Sequence, residues 1–308
     1  MPRAASIVSC LLALAVAIPA PAAQGPSRMT KLAIAHRGAS AYAPEHTLAA
    51  YRLAIEQKAD YVEQDLAVTR DGVLICLHDD SLERTTNVEQ VFPDRASVDP
   101  GSGRRQWLVV DFTLAEIKRL DAGSWFDARF AGERVPTWEE AIAAVGMAAG
   151  LYPELKSPAL YRARGIDMTG LFLASLRRAG LDQAPAHRLV LQSFDDQTLR
   201  AVTKTLPSLA RTFLIEARDG PRWLSAPGLA EVARFATGIG PTKRLLEGRP
   251  ELVQAARKAG LTVTPYTFTS RAASRFADVR DEMKHYLFDL GVDALFTDNP
   301  DRFPRGGL

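Results

Sequence analysis

Ala149-Gly150-Leu151-Tyr152-Pro153-Glu154-Leu155-Lys156 reads as a helix end, a glycine that closes it, and a strand with ionisable residues at its far end. A glycine just past a helix takes the left-handed conformation and turns the chain back. The same junction recurs at Ala179-Gly180-Leu181, Ala259-Gly260-Leu261 and Leu290-Gly291-Val292. Helix starts are marked as well. Thr113-x-x-Glu116 and Thr137-x-x-Glu140 are capping boxes, and Pro250 suits a first helical position. A repeated βα unit of this kind implies a parallel sheet.

Strands are predicted near 32–36, 61–66, 150–155, 188–193, 211–215, 236–240, 262–267 and 292–297. Eight strands close a barrel, and the chain length suits that fold, so the class is α/β, a (β/α)8 TIM barrel over about 31–303. The apolar run 73–77 is a ninth strand. Too few residues separate it from strand two for a parallel crossover, so it must be antiparallel. A two-residue turn at Asp71-Gly72 would pair Arg70 with Val73 and Asp65 with His78. The stretch 79–135 exceeds one loop and is expected to be a small insertion over the barrel.

The 308 residues are 47 % hydrophobic and 24 % charged, with a net charge of +2, which gives no reason to expect nucleic acid or an anionic membrane as partner. Residues 1–23 stand apart: Arg3, an apolar run over 7–18, then Ala20-Pro21-Ala22-Ala23. This reads as a cleaved signal peptide, too short in its apolar part to anchor the chain, so the protein is expected to be periplasmic or secreted. Without that segment Cys76 is the sole cysteine, and in its apolar surroundings it reads as a small buried hydrophobe. The expected oligomeric state is a monomer or homodimer.

Polar residues gather at the ends of the predicted strands: His36 and Arg37, Glu63 and Asp65, Glu154 and Lys156, Gln192, Tyr266 and Asp298, with His78 after the hairpin. Alternation puts Glu63 with Asp65, and Glu154 with Lys156, on one side of each strand. Three carboxylates within about 5 Å repel by roughly 3 kcal/mol per pair at an effective dielectric near 20. Either some are protonated or a cation sits among them. Oxygen ligands favour Ca²⁺ or Mg²⁺ over Zn²⁺. The two histidines suit the proton transfers of phosphoryl chemistry, and Arg37 and Lys156 suit the phosphate oxygens.

His36-Arg37-Gly38-Ala39-Ser40, Pro44-Glu45-His46-Thr47, Glu63-Gln64-Asp65, Thr69-Arg70-Asp71-Gly72, Leu77-His78-Asp79, Pro153-Glu154-Leu155-Lys156, Gln192-Ser193-Phe194 and Phe296-Thr297-Asp298 together resemble the glycerophosphodiester phosphodiesterase family. Phe92-Pro93-Asp94-Arg95 is similar to its periplasmic branch. The resemblance implies hydrolysis of small-molecule glycerophosphodiesters to sn-glycerol 3-phosphate and an alcohol, with a divalent cation, Ca²⁺ before Mg²⁺. By matching motif, Glu63, Asp65 and Glu154 would bind metal, His36 and His78 would be the acid/base pair, and Arg37 and Lys156 would bind phosphate. In the related mechanism a glycerol hydroxyl attacks phosphorus and water then opens the cyclic phosphate. His46 and Tyr266 depart from the common Asn and Trp of the pattern, which touches only the shape of the pocket. Gln192 and Tyr266 are candidate substrate contacts with packing as the alternative, and Glu45 and His46 read as helix cap or support. A phospholipase-type lyase that stops at the cyclic phosphate, and a non-catalytic surface binding protein, are the alternative functions.

Overall fold

Every residue of the strand Tyr61–Val68 is buried, as a strand needs to be when helices cover one face and the inside of a barrel lies on the other. The computed structural model describes residues 30–306 apart from residue 273, so the expected signal peptide at 1–23 lies outside the described residues. Eight parallel strands follow one another: β1 (Leu32–Ala35), β2 (Tyr61–Val68), β3 (Gly150–Leu155), β4 (Val190–Ser193), β5 (Ala210–Ile215), β6 (Gly238–Pro241), β7 (Thr262–Val263) and β8 (Ala294–Thr297). β8 returns beside β1 with Leu32 opposite Ala294 and Ala35 opposite Thr297. The ladder between β7 and β8 is thin, because the regular strand stops at Val263, ahead of Pro265, which has no N–H to give. Asp293 N–H to Val263 O at 2.9 Å and Phe268 N–H to Phe296 O at 2.9 Å bridge it.

The strand ends shift from expectation where a neighbouring element takes the residues. Ala236, expected to open strand six, donates its N–H to Val232 O at 2.9 Å and so finishes the preceding helix. Ala186–Arg188 forms a turn of 3₁₀ helix, which delays β4 to Val190. Gly150 is not a helix cap. Gly146, at φ +51°, ends the helix Trp138–Val145, and Gly150 sits inside β3 where a Cβ would lie 2.3 Å from the Tyr61 ring. Both capping boxes form as read, Thr113 with Glu116 and Thr137 with Glu140.

The two faces of each strand feed two cores. Ala33, Val62, Leu151, Leu191 and Phe213 belong to the large cluster that packs against the helices. Ile34, Tyr61, Tyr152, Ala294 and Phe296 form a separate cluster, with Tyr152 edge-on to both Tyr61 and Phe296 at 5.6 and 5.1 Å. Two residues further along the same faces come His36, Glu63 and Glu154, so this aromatic cluster is the floor beneath them.

The antiparallel hairpin strand Leu74–Cys76 pairs with β2, but one residue out of the expected register. Thr69, not Arg70, closes the turn: its N–H reaches Val73 O at 3.0 Å and its hydroxyl accepts the Val73 N–H at 3.0 Å. The loop therefore has three residues, with Gly72 at φ +78°, and Asp65 lies opposite Leu77 instead of His78. His78 follows the last ladder bond, where the chain bends. Beyond it, residues 79–135 carry a short ribbon (Ser97–Val98 with Arg105–Gln106), the capped turn Leu114–Ile117, and buried Trp107, Phe112 and Leu120. Among the described residues no helix is long and apolar enough to cross a membrane.

Candidate active site

Parallel register sets the side chains level with one another: Asp65 is opposite Glu154, and Glu154 is opposite Gln192. At this height, at the C-terminal ends of the strands, lies a cavity of about 220 Å³. Every residue expected at the site lines it: His36 and His78, Arg37 and Lys156, Glu63, Asp65 and Glu154, and Gln192 with Tyr266. The one-residue error in the hairpin register does not remove His78, because it reaches the cavity from the bend after Leu77.

Both histidines are anchored the same way. His36 Nδ1 lies 2.7 Å from Asp298 Oδ1, and His78 Nδ1 lies 2.5 Å from Asp79 Oδ1. A carboxylate on Nδ1 holds the proton there and leaves Nε2 to exchange one. Burial works to raise Asp298, yet the bond from His36 and its charge hold the carboxyl below its ordinary range. Burial likewise opposes Asp79, and the bonds from His78 and Arg84 outweigh it and lower it. Both partners therefore stay ionised at neutral pH.

Arg37 and Ser157, directly after β1 and close behind β3, have left-handed backbone at φ +58° and +45°. Such strain in non-glycine residues needs surroundings that impose it. At Arg37 it turns the backbone N–H onto Glu63 Oε2 at 2.6 Å. The guanidinium sits between Glu45, 2.8 Å from Nη1, and Asp65, 3.4 Å from Nε. Burial alone would lower Arg37, but Asp65, Glu45 and Glu63 raise it. Lys156 Nζ lies 3.3 Å from Glu154 Oε1, and again Asp65 and Glu154 raise an amine that burial would lower.

Glu63, Asp65 and Glu154 are 1 %, 1 % and 6 % exposed, which makes their ionisation costly. Burial and the charge of Asp65 push Glu63 well up despite Arg37. Burial, with Asp65 adding and Lys156 opposing, pushes Glu154 up to about 8. Asp65 is the one that stays low: burial would raise it, but Lys156, His46 and Arg37 prevail. The cluster is short of positive charge. Gln192 adds a buried oxygen without a partner while its amide donates to Glu63 at 3.3 Å. Hard oxygen donors, repelling carboxylates and an orphaned amide oxygen fit a divalent cation such as Ca²⁺ or Mg²⁺.

Four participants were given no role in the sequence reading, or only a supporting one. His46 is buried, with Nδ1 on Tyr51 Oη at 2.9 Å and Nε2 on Asp65 Oδ2 at 2.8 Å, and burial pushes its pKa down, so it is neutral. His46, Glu63 and Asp65 offer ligand atoms within 4.8 Å of one another, but both ring nitrogens of His46 are already engaged, one by Tyr51 and the other by Asp65. Glu45, expected as cap or support, braces Arg37; Thr47 is the helix cap, accepting from Ala50 N–H. Asp298 and Asp79 had a signal in the sequence: each is an acid beside a site motif, but nothing local says which histidine it meets. Tyr266 packs edge-on against Phe194 at 6.0 Å and donates to Ile215 O at 3.3 Å, walling the cavity.

Fold and pocket together define a (β/α)8 barrel enzyme with its site at the C-terminal ends of the strands, where this fold carries its chemistry. The model of the glycerophosphoryl diester phosphodiesterase family matches residues 36–302. A glycerophosphodiester phosphodiesterase of Bacillus subtilis (strain 168) is 37 % identical over 284 residues, covering 89 % of this chain and 85 % of that protein. One from Haemophilus influenzae is 33 % identical, covering 88 % of each. Among solved structures, a glycerophosphodiester phosphodiesterase from Agrobacterium tumefaciens superposes with TM-score 0.66 at 31 % identity over 89 % of this chain and 99 % of that one. A phosphodiesterase of Oleispira antarctica in complex with the product sn-glycerol-3-phosphate superposes with TM-score 0.70 at 26 % identity over 89 % and 95 %. The chain belongs to the glycerophosphoryl diester phosphodiesterase family. It is accordingly an enzyme of the glycerophosphodiester phosphodiesterase class.

Proposed function

We propose that this enzyme hydrolyses glycerophosphodiesters to sn-glycerol 3-phosphate and an alcohol, using His36 and His78 as the proton-transfer pair and a divalent cation held by Glu63, Asp65 and Glu154. The observation that carries the reading is the pair of carboxylate-anchored imidazoles on one small cavity that also holds two cationic side chains. The product complex of the Oleispira relative supports the same substrate class.

One imidazole, its Nδ1 proton held by its carboxylate, takes the proton from the attacking hydroxyl at Nε2. The other, protonated, gives a proton to the departing alkoxide; with a glycerol hydroxyl as the attacker, water then opens the cyclic phosphate with the two roles reversed, which returns both imidazoles to their starting protonation. Arg37 and Lys156 face the non-bridging oxygens, where charge grows as the bond to phosphorus changes. Their own acidic neighbours keep both charged. A divalent cation held by Glu63, Asp65 and Glu154 would supply Lewis-acid stabilisation of the charge that grows on the phosphate. Gln192 and Tyr266 line the same cavity and serve as substrate contacts in this reading.

Release of glycerol 3-phosphate from glycerophosphocholine, with and without chelator, tests the proposal, and phosphorus NMR of the products tests hydrolysis against arrest at a cyclic phosphate. Turnover unchanged after thorough metal removal would overturn the cation; wild-type turnover by folded His36→Ala or His78→Ala would overturn the acid/base pair. The basic start, apolar run and small residues of 1–23 support export to the periplasm or medium. Cell fractionation with N-terminal sequencing of the mature chain checks it.

A further inference from the structure

Arg84 belongs to the insertion and does not line the cavity, yet the supports of two cavity residues meet on its guanidinium. Nε donates to Asp79 Oδ2, while Nη1 and Nη2 donate to Glu45 Oε2 and Oε1 at 3.0 and 2.7 Å. Asp79 holds His78 with its other oxygen at 2.5 Å, and Glu45 Oε1 holds Arg37 Nη1 at 2.8 Å. One planar fork therefore joins the loop after β1 to the insertion, and through two carboxylates joins an imidazole to a guanidinium.

We propose that Arg84 is a positioning residue for the reaction: by clamping Asp79 and Glu45 together it sets His78 in register with Arg37. The inference rests on the reading of His78 as a proton-transfer group. Its physical basis is charge and shape. Asp79 and Glu45 share one cation, so without it two carboxylates face each other with no charge between them. Asp79 is then free to swing, and His78, whose side chain is 31 % exposed, loses the fixed anchor on its Nδ1. Glu45 still has Arg37, but loses the bidentate partner that fixes its plane. A lysine restores the charge without the fork, because an ammonium cannot span three oxygens in one plane. Arg84 is itself 43 % exposed, and exposed ion pairs add little to stability, so its loss acts on geometry and not on folding.

The test is steady-state turnover of glycerophosphocholine at saturating divalent cation by Arg84→Met, Arg84→Lys, Asp79→Asn, the Arg84→Met/Asp79→Asn double variant and His78→Ala, with a melting curve for each. The expected result for Arg84→Met is a fall in kcat of about tenfold or more with KM within about threefold. Arg84→Lys stays well below wild type. Adding Arg84→Met to Asp79→Asn lowers kcat by clearly less than the single Arg84→Met loss, because the arm to His78 is already broken and only the arm to Glu45 remains to lose. Wild-type kcat in Arg84→Met alongside an inactive His78→Ala would overturn this inference and leave the proposed function standing, as would losses that multiply in the double variant. Wild-type turnover in His78→Ala would instead overturn the function. Should Arg84→Met fail to fold, Arg84→Lys carries the same comparison, and kcat equal to wild type in it refutes the need for a fork.

Discussion

Replacing Asp298 with Asn probes the site with the least change of shape. Asp298 Oδ1 accepts from His36 Nδ1 at 2.7 Å, a charge-assisted bond to a carboxylate that is only 14 % exposed. An amide keeps the size and one acceptor but removes the charge that steadies the imidazolium when His36 carries its second proton. A charge-assisted bond contributes roughly 1.5–3 kcal/mol. Two unit charges about 4 Å apart at an effective dielectric near 20 set a ceiling of about 4 kcal/mol. At about 1.4 kcal/mol per tenfold, kcat should fall roughly 10- to 150-fold. Stability should fall by less than the charge-assisted bond is worth, since the amide oxygen can still accept from Nδ1 and the backbone bond from Asp298 N–H to Phe268 O at 3.0 Å is untouched. The assay is kcat and KM on glycerophosphocholine, with a melting curve on the same samples. A folded variant with kcat within about twofold of wild type would refute the argument that a buried charge on Nδ1 serves proton transfer at Nε2.

Four further outcomes follow from the same structure. Glu63→Gln or Glu154→Gln should weaken Ca²⁺ and Mg²⁺ binding by about tenfold or more in titration calorimetry, since each would remove one charged ligand of the proposed cation site; unchanged affinity would exclude that residue from it. In metal-free protein Glu154 is pushed up to about 8, so cation affinity should rise between pH 6 and pH 8 as that carboxyl loses its proton. The same raised value means the folded metal-free protein binds the extra proton. Its stability from this group is therefore full below about pH 4.5 and falls as pH rises towards 8, which denaturation at pH 5 and 8 can read. Gly38→Ala should destabilise by about 2–5 kcal/mol in urea unfolding, because Gly38 has φ +85° and a Cβ there would lie 2.7 Å from the Ala50 carbonyl carbon.

The parts of the fold readable in advance are those whose cause is local. Strand β2 announces itself by apolar residues on either side of Glu63-Gln64-Asp65, the common side of Glu63 and Asp65 by alternation, and the helix Trp138–Val145 by Thr137 and Glu140. Misplaced boundaries share one cause, which is competition between two local partners. Ala236 was open to helix or strand, and Gly146 and Gly150 both stood near the same helix end. The hairpin failed by one residue because Thr69 can close the turn with its hydroxyl as well as its backbone, a choice between two nearly equal turns.

Residue types and their order around strands one to three determined by themselves that basic, acidic and imidazole side chains would share a barrel rim, since period-two strands and short loops leave few other arrangements. Tertiary structure alone decided who holds whom. His36 meets Asp298, 262 residues away, because β8 closes beside β1. Arg84 meets Glu45, 39 residues away, because the insertion folds onto the loop after β1. His46 is buried on Asp65 instead of standing free. Pairings of this kind depend on closure of the sheet and on the burial that makes a lone charge costly, and neither is written in any local pattern.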